Sequence, residues 1–381
     1  MATKLKIGLI LDTSLDPMDG VQQYVVGIGE WLRAQGHEVH YLVGQTEQRQ
    51  LANIHSLSRN VGVVFNGNRT TIPLPANRRK LRRFIKEQAF DVLHVQTPHH
   101  PLMAQHLIGA AGPRTAVVAT FHILPYGRLS RWGNKALALW LRPSLKRIDI
   151  MLSVSPAAAR FEEASFGLPS QVLPNVVDYP RFHDAQPLPQ YDDSTTTILF
   201  LGRLVPRKGC LLLLKAAAEL KKNTELPAFR LVICGTGPME KQLRAFSEQH
   251  DLQKIVTFVG FVEEAIKPRY YASADIAVFP SNGGESFGIV LLEAMASGRA
   301  VVLAGNNPGY HSVMEPQPEL LFDPTNPAEL ADKLRTYLLN PALRQQSADW
   351  GEAYTAEFDV NTVGRRLEAV YQKALRKRRQ P

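Results

Sequence analysis

The stretch GGESFGIVLLEAMASGRAVV, Gly283–Val302, decides how this chain is read, because it joins a glycine-rich turn, a short apolar helix and the start of a strand. Ile289, Val290, Leu291, Leu292, Ala294, Met295 and Ala296 leave no wide polar face, so the helix is a buried one, and Gly298 is a natural stop after it. Gly283, Gly284 and Gly288 have no Cβ, so a ligand can approach the unpaired N–H groups of the helix start, where the macrodipole favours an anion such as phosphate. Glu285 and Glu293 bracket that start with seven residues between them. Either one alone reads as an ordinary acid near a helix N-terminus. On one helix they would stand about 12 Å apart, too far for the ~5–9.5 Å of a hydrolytic acid–base pair, so each carboxylate is expected to hold a different sugar of one ligand.

Outward from this stretch, strands and helices alternate. Asp275–Phe279 precedes it and Ala300–Ala304 closes it, and Thr197–Leu201, Phe229–Cys234 and Ile255–Val259 read as further buried strands rich in Val, Ile and Leu. The same alternation runs through Lys4–Leu11, Glu38–Val43, Asp91–Val95, Thr115–Thr120 and Asp149–Val154. A proline-rich stretch, Asn175–Thr196, reads as a linker. The expectation is two parallel α/β domains, 1–180 and 181–360, followed by a helix and basic tail over 361–381, with ligands beyond the carboxyl ends of the strands. A length of 381 residues is too great for one ordinary core.

Composition excludes several classes. No apolar run reaches the ~18 residues of a membrane-crossing helix, and IGLIL near the N-terminus reads as a first strand rather than a signal peptide. Cys210 and Cys234 make no disulfide or zinc framework, so a cytoplasmic location is expected. GTGP at Gly235–Pro238 sits between a strand and a helix, but Glu240 occupies the third glycine position of a dinucleotide fingerprint, and no GxxxxGK[ST] loop exists. The net charge of +9 is concentrated in ANRRKLRRFIKEQ, where Arg78, Arg79, Lys80, Arg82 and Arg83 surround Leu81, Phe84 and Ile85, and in Arg376–Arg379. The first cluster is a basic amphipathic helix, suited either to an anionic membrane surface or to packing its apolar stripe on its own domain. The second reads as a solvated tail or as part of the same membrane footprint. No helix-turn-helix, zinc finger or aromatic RNA-binding motif accompanies the charge, so no nucleic-acid partner is expected.

Three blocks together resemble glycosyltransferase family 4, the retaining nucleotide-sugar transferases of GT-B fold. They are the Glu285/Glu293 signature with SFGIVLL between, FLGRLVPRKG at Phe200–Gly209, and DGVQQYV from Asp19, where the family usually has two adjacent glycines. The similarity spans essentially the whole chain and is nearest in motifs to bacterial phosphatidylinositol mannosyltransferases. It implies two Rossmann-like domains facing across a cleft, with the last helix crossing back onto the first.

The resemblance also implies roles. Arg203 and Lys208 clamp the diphosphate of the donor, with the helix start Phe287–Val290, including Gly288 and Ile289, as a further anion site. Glu293 binds the ribose hydroxyls, Glu285 the donor-sugar hydroxyls, and His122 contacts the donor sugar near the reaction centre. Gly20 lies close to the diphosphate, and Val262, Glu264 and Lys267 match positions around guanine, which favours GDP-mannose over a UDP-sugar. No Asp-x-Asp motif appears, and with protein cations on the diphosphate neither a metal nor another cofactor is required. With no opposing carboxylate nucleophile evident, front-side displacement is expected. Gln22 and Asn66 match residues near the inositol end of the lipid site. Thr13 replaces a tyrosine of the first loop, Val205 replaces an acidic residue, and the arginines expected beyond Asn66 are displaced.

The expected function is therefore transfer of mannose to a membrane lipid such as phosphatidylinositol by an enzyme peripheral at the inner face of the cell membrane. The alternatives are a UDP-sugar transferase acting on diacylglycerol or a glycan, a sugar-nucleotide epimerase, and a non-catalytic membrane scaffold. Nothing in the residues fixes an oligomeric state.

Overall fold

A computed structural model describes residues 4–16, 19–65, 68–124, 137 and 139–379. The chain divides into two compact units, Met1–Val176 with Val360–Pro381, and Val177–Asp359.

In the first unit a seven-stranded sheet runs, edge to edge, Ile54–Ser56, Glu38–Val43, Lys6–Leu11, Val92–Gln96, Ala116–Phe121, Ile150–Ser153, Gln171–Val172. Every neighbouring pair is parallel. Its central strands are apolar on both faces because helices cover both. On one face Ile28 and Leu32 of the helix Gly20–Ala34 and Val363 and Leu367 of the helix Val360–Arg379 pack on Ile7, Leu9 and Val118. On the other, Leu81 and Ile85 of the helix Arg78–Gln88 and Met103 and Leu107 of the helix Met103–Ala110 pack on Ile10, Leu93 and Val95. The C-terminal helix is locked to this unit by polar contacts as well. Trp31 Nε1 donates to Asn361 Oδ1 at 2.9 Å, and the Tyr371 hydroxyl lies 2.8 Å from His94 Nδ1.

In the second unit the sheet order is Val256–Gly260, Phe229–Cys234, Thr196–Leu201, Ile276–Phe279, Val301–Gly305, Leu321–Phe322, again all parallel. The chain starts in the middle, winds to one edge, then returns to the other side of its first strand. Thr196–Leu201 and Ile276–Phe279 are therefore neighbours flanking a topological switch point, and the loops leaving their carboxyl ends diverge to leave room for a ligand.

Two expectations need correction. The stretch Asn175–Thr196 is not a bare linker, because the Asp178 side chain accepts from Arg181 N and starts the short helix Tyr179–His183, whose Phe182 is buried. The C-terminal cations are not a loose tail: Arg376, Lys377 and Arg379 are exposed, but the helix runs to Arg379, Lys377 Nζ donates to the Asp149 carbonyl at 3.0 Å, and Arg378 Nε lies 2.7 Å from Asp149 Oδ1. Of the two settings open to Arg78–Gln88, its apolar stripe takes its own core, with Leu81 and Ile85 each 3% exposed, while the cations and Glu87 face water. Finally, an antiparallel pair, Asn60–Phe65 with Asn68–Pro73, stands apart from the parallel sheets.

Candidate functional site

The site of the second unit is built where two neighbouring strands end. After Leu201 the chain makes a turn through Pro206–Lys208 and enters the helix Cys210–Lys221 at Gly209. Gly209 has φ +73°, and a Cβ there would stand 2.0 Å from the Pro280 carbonyl oxygen. Only glycine allows the turn to press this closely on the loop that follows Phe279. The two loops are then stitched together, as Asn282 N donates to the Arg207 carbonyl at 2.9 Å and Ser281 Oγ lies 3.0 Å from the same oxygen.

Glu285 is carried on this second loop, ahead of the helix Ile289–Ala296. Its Oε1 meets Arg207 Nη1 at 2.5 Å, Lys208 Nζ at 3.0 Å and Ser281 Oγ at 2.9 Å. Burial alone would raise this carboxyl, but Lys208 and Arg207 outweigh it and hold the group below the usual carboxylate range, so it is ionised. Arg203 is half-buried in the same turn region. Gly288 initiates the helix with φ +112°, leaving Ile289 and Val290 half-exposed at its start. The Phe287 ring is core, 3% exposed and edge-on to Phe358 with centroids 5.8 Å apart, so only its backbone is available to a ligand. From behind, Asn307 Nδ2 donates to the Ser281 carbonyl at 3.0 Å, and a Cβ on Gly309 would meet the Glu285 carbonyl at 2.1 Å.

Glu293 lies about one turn into the helix Ile289–Ala296, nearly sealed at 2% side-chain exposure. Lys267 Nζ reaches its Oε1 at 2.7 Å and the Tyr271 hydroxyl donates to its Oε2 at 3.1 Å. Lys267 also meets Glu264 Oε2 at 2.8 Å. Burial would lower the Lys267 ammonium, but Glu293 and Glu264 prevail and raise it, so this is a true ion triad. Lys267 is thus committed to two carboxylates, whereas Glu264 keeps 36% of its side chain exposed and Val262 is half-exposed beside it.

In the first unit Gly20 opens the helix Gly20–Ala34, and buried Gln22 turns its amide onto the Ser14 carbonyl at 3.2 Å. His122, at the end of Ala116–Phe121, is 5% exposed, with Nε2 2.7 Å from Gln96 Oε1 and its ring edge-on to Tyr24. Burial pushes it down to about 3, so the imidazole is neutral and serves as a hydrogen-bonding group rather than a cation. Asn66 lies outside the described residues. Arg78, Arg79, Lys80, Arg82 and Arg83 all face solvent on one short helix capped by Asn77, whose side chain accepts from Arg79 N and Lys80 N.

Sequence reasoning missed Arg207, Ser281, Tyr271 and Asn307. Arg207 stood next to Lys208 in PRKG and carried no separate signal. Asn307 did carry one, since Asn before Pro-Gly marks a helix cap.

The family described as Glycosyltransferase Family 4 matches residues 18–181, and that described as Glycosyl transferases group 1 matches residues 186–354. A phosphatidyl-myo-inositol mannosyltransferase of Mycobacterium tuberculosis is 33% identical over 377 residues, covering 97% of each chain. One from Mycolicibacterium smegmatis is 37% identical over 302 residues, covering 78% of this chain and 75% of that one. Among solved structures, Anabaena HepE in complex with UDP superposes with a TM-score of 0.74 over 97% of this chain and 100% of that chain, at 19% identity, a likeness of fold.

Proposed function

The chain belongs to the glycosyltransferases of family 4 and group 1, and on that premise we propose that it transfers mannose from GDP-mannose, with retention, to the inositol ring of a membrane phosphoinositide. Its Rossmann-like units are those of the GT-B fold. The observation that carries the reading is the convergence of Arg207, Lys208 and a buried ionised Glu285 ahead of the glycine-started helix Ile289–Ala296.

Cleaving a sugar from a nucleoside diphosphate builds negative charge on the leaving phosphate and positive character on the anomeric carbon. The cations of the Arg203–Lys208 turn, with the N–H groups at Gly288–Val290, stabilise the first. They remove any need for a metal in that role. Glu285 is an acceptor for the donor-sugar hydroxyls, and its charge lies where positive character grows on the sugar. Glu293, oriented by Lys267 and Tyr271, accepts from the ribose hydroxyls. Guanine presents adjacent N1–H and N2–H donors that suit a carboxylate, and Glu264 is the half-exposed one beside Val262. Neutral His122 and Gln22 are the first unit's hydrogen-bonding groups for sugar and inositol. With no carboxylate nucleophile assigned, the leaving phosphate itself takes the acceptor proton.

Six cations facing water on Arg78–Gln88, Lys86 among them, support contact with an anionic bilayer, at about 1 kcal/mol each near the surface. The apolar stripe stays in the core, so this contact is electrostatic and weakens with salt. No helix among the described residues is long and apolar enough to cross a membrane, and the enzyme is proposed to work peripherally at the inner face. Calorimetric titration with GDP and UDP tests the donor assignment. Tighter binding of GDP, lost in Glu293→Ala, is expected; equal or tighter binding of UDP rejects it.

A further inference from the structure

A second feature lies on the same sheet face as the cationic helix. A cavity of about 550 Å³ opens between the helical residues 139–145 and the carboxyl end of the helix Pro156–Phe166. Leu139, Leu145, Phe166 and Leu168 supply apolar wall, and the two charged residues that line it, Arg142 and Lys146, are both cations. At its edge Leu139 is 71% exposed and the neighbouring Trp140 64% exposed, a large apolar pair that a water-facing surface does not need. Contacts through the helix Met103–Ala110 link the elements around the cavity to the cationic helix. Arg78 Nε donates to His106 Nε2 at 3.2 Å, Ser144 Oγ donates to Gln105 Oε1, and Leu168 packs on the same cluster as Leu81 and Ile85.

We propose that this cavity takes one acyl chain of an anionic phospholipid drawn from the bilayer, with Arg142 and Lys146 on its phosphate and Leu139 and Trp140 inserted at the interface. Apolar walls with a cationic rim match an amphiphile with a negative head, and a volume within the ~300–1,000 Å³ of small-molecule sites holds part of one chain. Trp beside Leu and flanking cations is the composition of an interfacial anchor. The arrangement gives the membrane contact an apolar component that the helix Arg78–Gln88, with its stripe turned inward, lacks. The proposal rests on the membrane reading above and specifies it.

The test uses the full-length protein and vesicles of phosphatidylglycerol and phosphatidylcholine in equal amounts, the former bearing a photoreactive acyl chain. Sedimentation measures partition, and mass spectrometry maps the cross-linked residues. Cross-links on residues 139–146 and 164–168 are expected, lost when Ala164→Phe fills the cavity from an exposed helix position. Arg142→Gln with Lys146→Gln should lower partition roughly thirtyfold, from about fivefold per cation. Cross-links confined to Arg78–Gln88, or unchanged in Ala164→Phe, overturn the cavity while leaving the membrane reading intact. Wild-type protein that fails to sediment with these vesicles overturns the membrane reading and the cavity with it.

Discussion

Replacing Lys267 by Met exposes how the second unit holds its carboxylates. Lys267 and Glu293 are 6% and 2% exposed, with Nζ and Oε1 2.7 Å apart. Removing the cation leaves a buried carboxylate still held by the Tyr271 hydroxyl, and breaking a buried pair from one side costs about 3–5 kcal/mol. Glu293→Gln is milder, about 1–2 kcal/mol, because the amide keeps its place by Tyr271 and Lys267 retains Glu264 at 2.8 Å. Combining the two removes both charges, so the double variant should be more stable than Lys267→Met alone, with a coupling of about 1–3 kcal/mol. Urea unfolding of the three variants and wild type measures the cycle, and calorimetry measures GDP affinity. Stability should recover in the double variant and GDP affinity should not, because a neutral amide with one acceptor oxygen replaces the carboxylate that accepts from the ribose hydroxyls. Additive losses would refute the triad, and a double variant binding GDP like wild type would refute the role given to Glu293.

Arg207→Ala should lower kcat/KM roughly thirtyfold, the equivalent of about 2 kcal/mol for one charge-assisted contact, with little change in the unfolding midpoint; an unchanged kcat/KM contradicts its place in the site. Gly235→Ala should cost at least about 3 kcal/mol. Its φ is +138° and a Cβ would stand 1.9 Å from the Gly202 carbonyl, whereas Gly109→Ala, on a helix with nothing within 4 Å, should be neutral or stabilising by urea midpoint. Burial pushes His94 and His122 down to about 3, so their rings should stay neutral at pH 5 by nitrogen chemical shift, and titration near 6.5 would contradict that. With folded values below the unfolded one, each ring contributes stability above pH 6.5 that is lost as pH falls toward 3, about 2 kcal/mol by pH 5. Asp12 and Glu162, raised to about 7 by burial, act in the opposite direction, which is why the rings themselves are the readout.

The ten strands read from runs of Val, Ile and Leu are where the sheets lie, because a parallel strand buried on both faces must be apolar throughout. The missed strands were hidden for other reasons. Ile54–Ser56, Gln171–Val172 and Leu321–Phe322 are short edge strands of two or three residues, and Asn60–Phe65 and Asn68–Pro73 belong to neither parallel sheet, although Asn66-Gly67 between them is a recognised hairpin signal. Glu285, Glu293 and Lys208 were legible as residue types at a spacing. Their partners were not, since Lys267 meets Glu293 across 26 positions and Ser281 meets Glu285 only through the loop geometry that Gly209 permits. The fate of the C-terminal cations was equally hidden, because Asp149, which receives Lys377 and Arg378, lies more than two hundred positions away.

The most direct test is transfer itself. Protein incubated with labelled GDP-mannose and vesicles containing phosphatidylinositol should move label into the organic phase, and Glu285→Ala should not. Label entering the lipid from UDP-glucose instead, or from neither donor, would contradict the account.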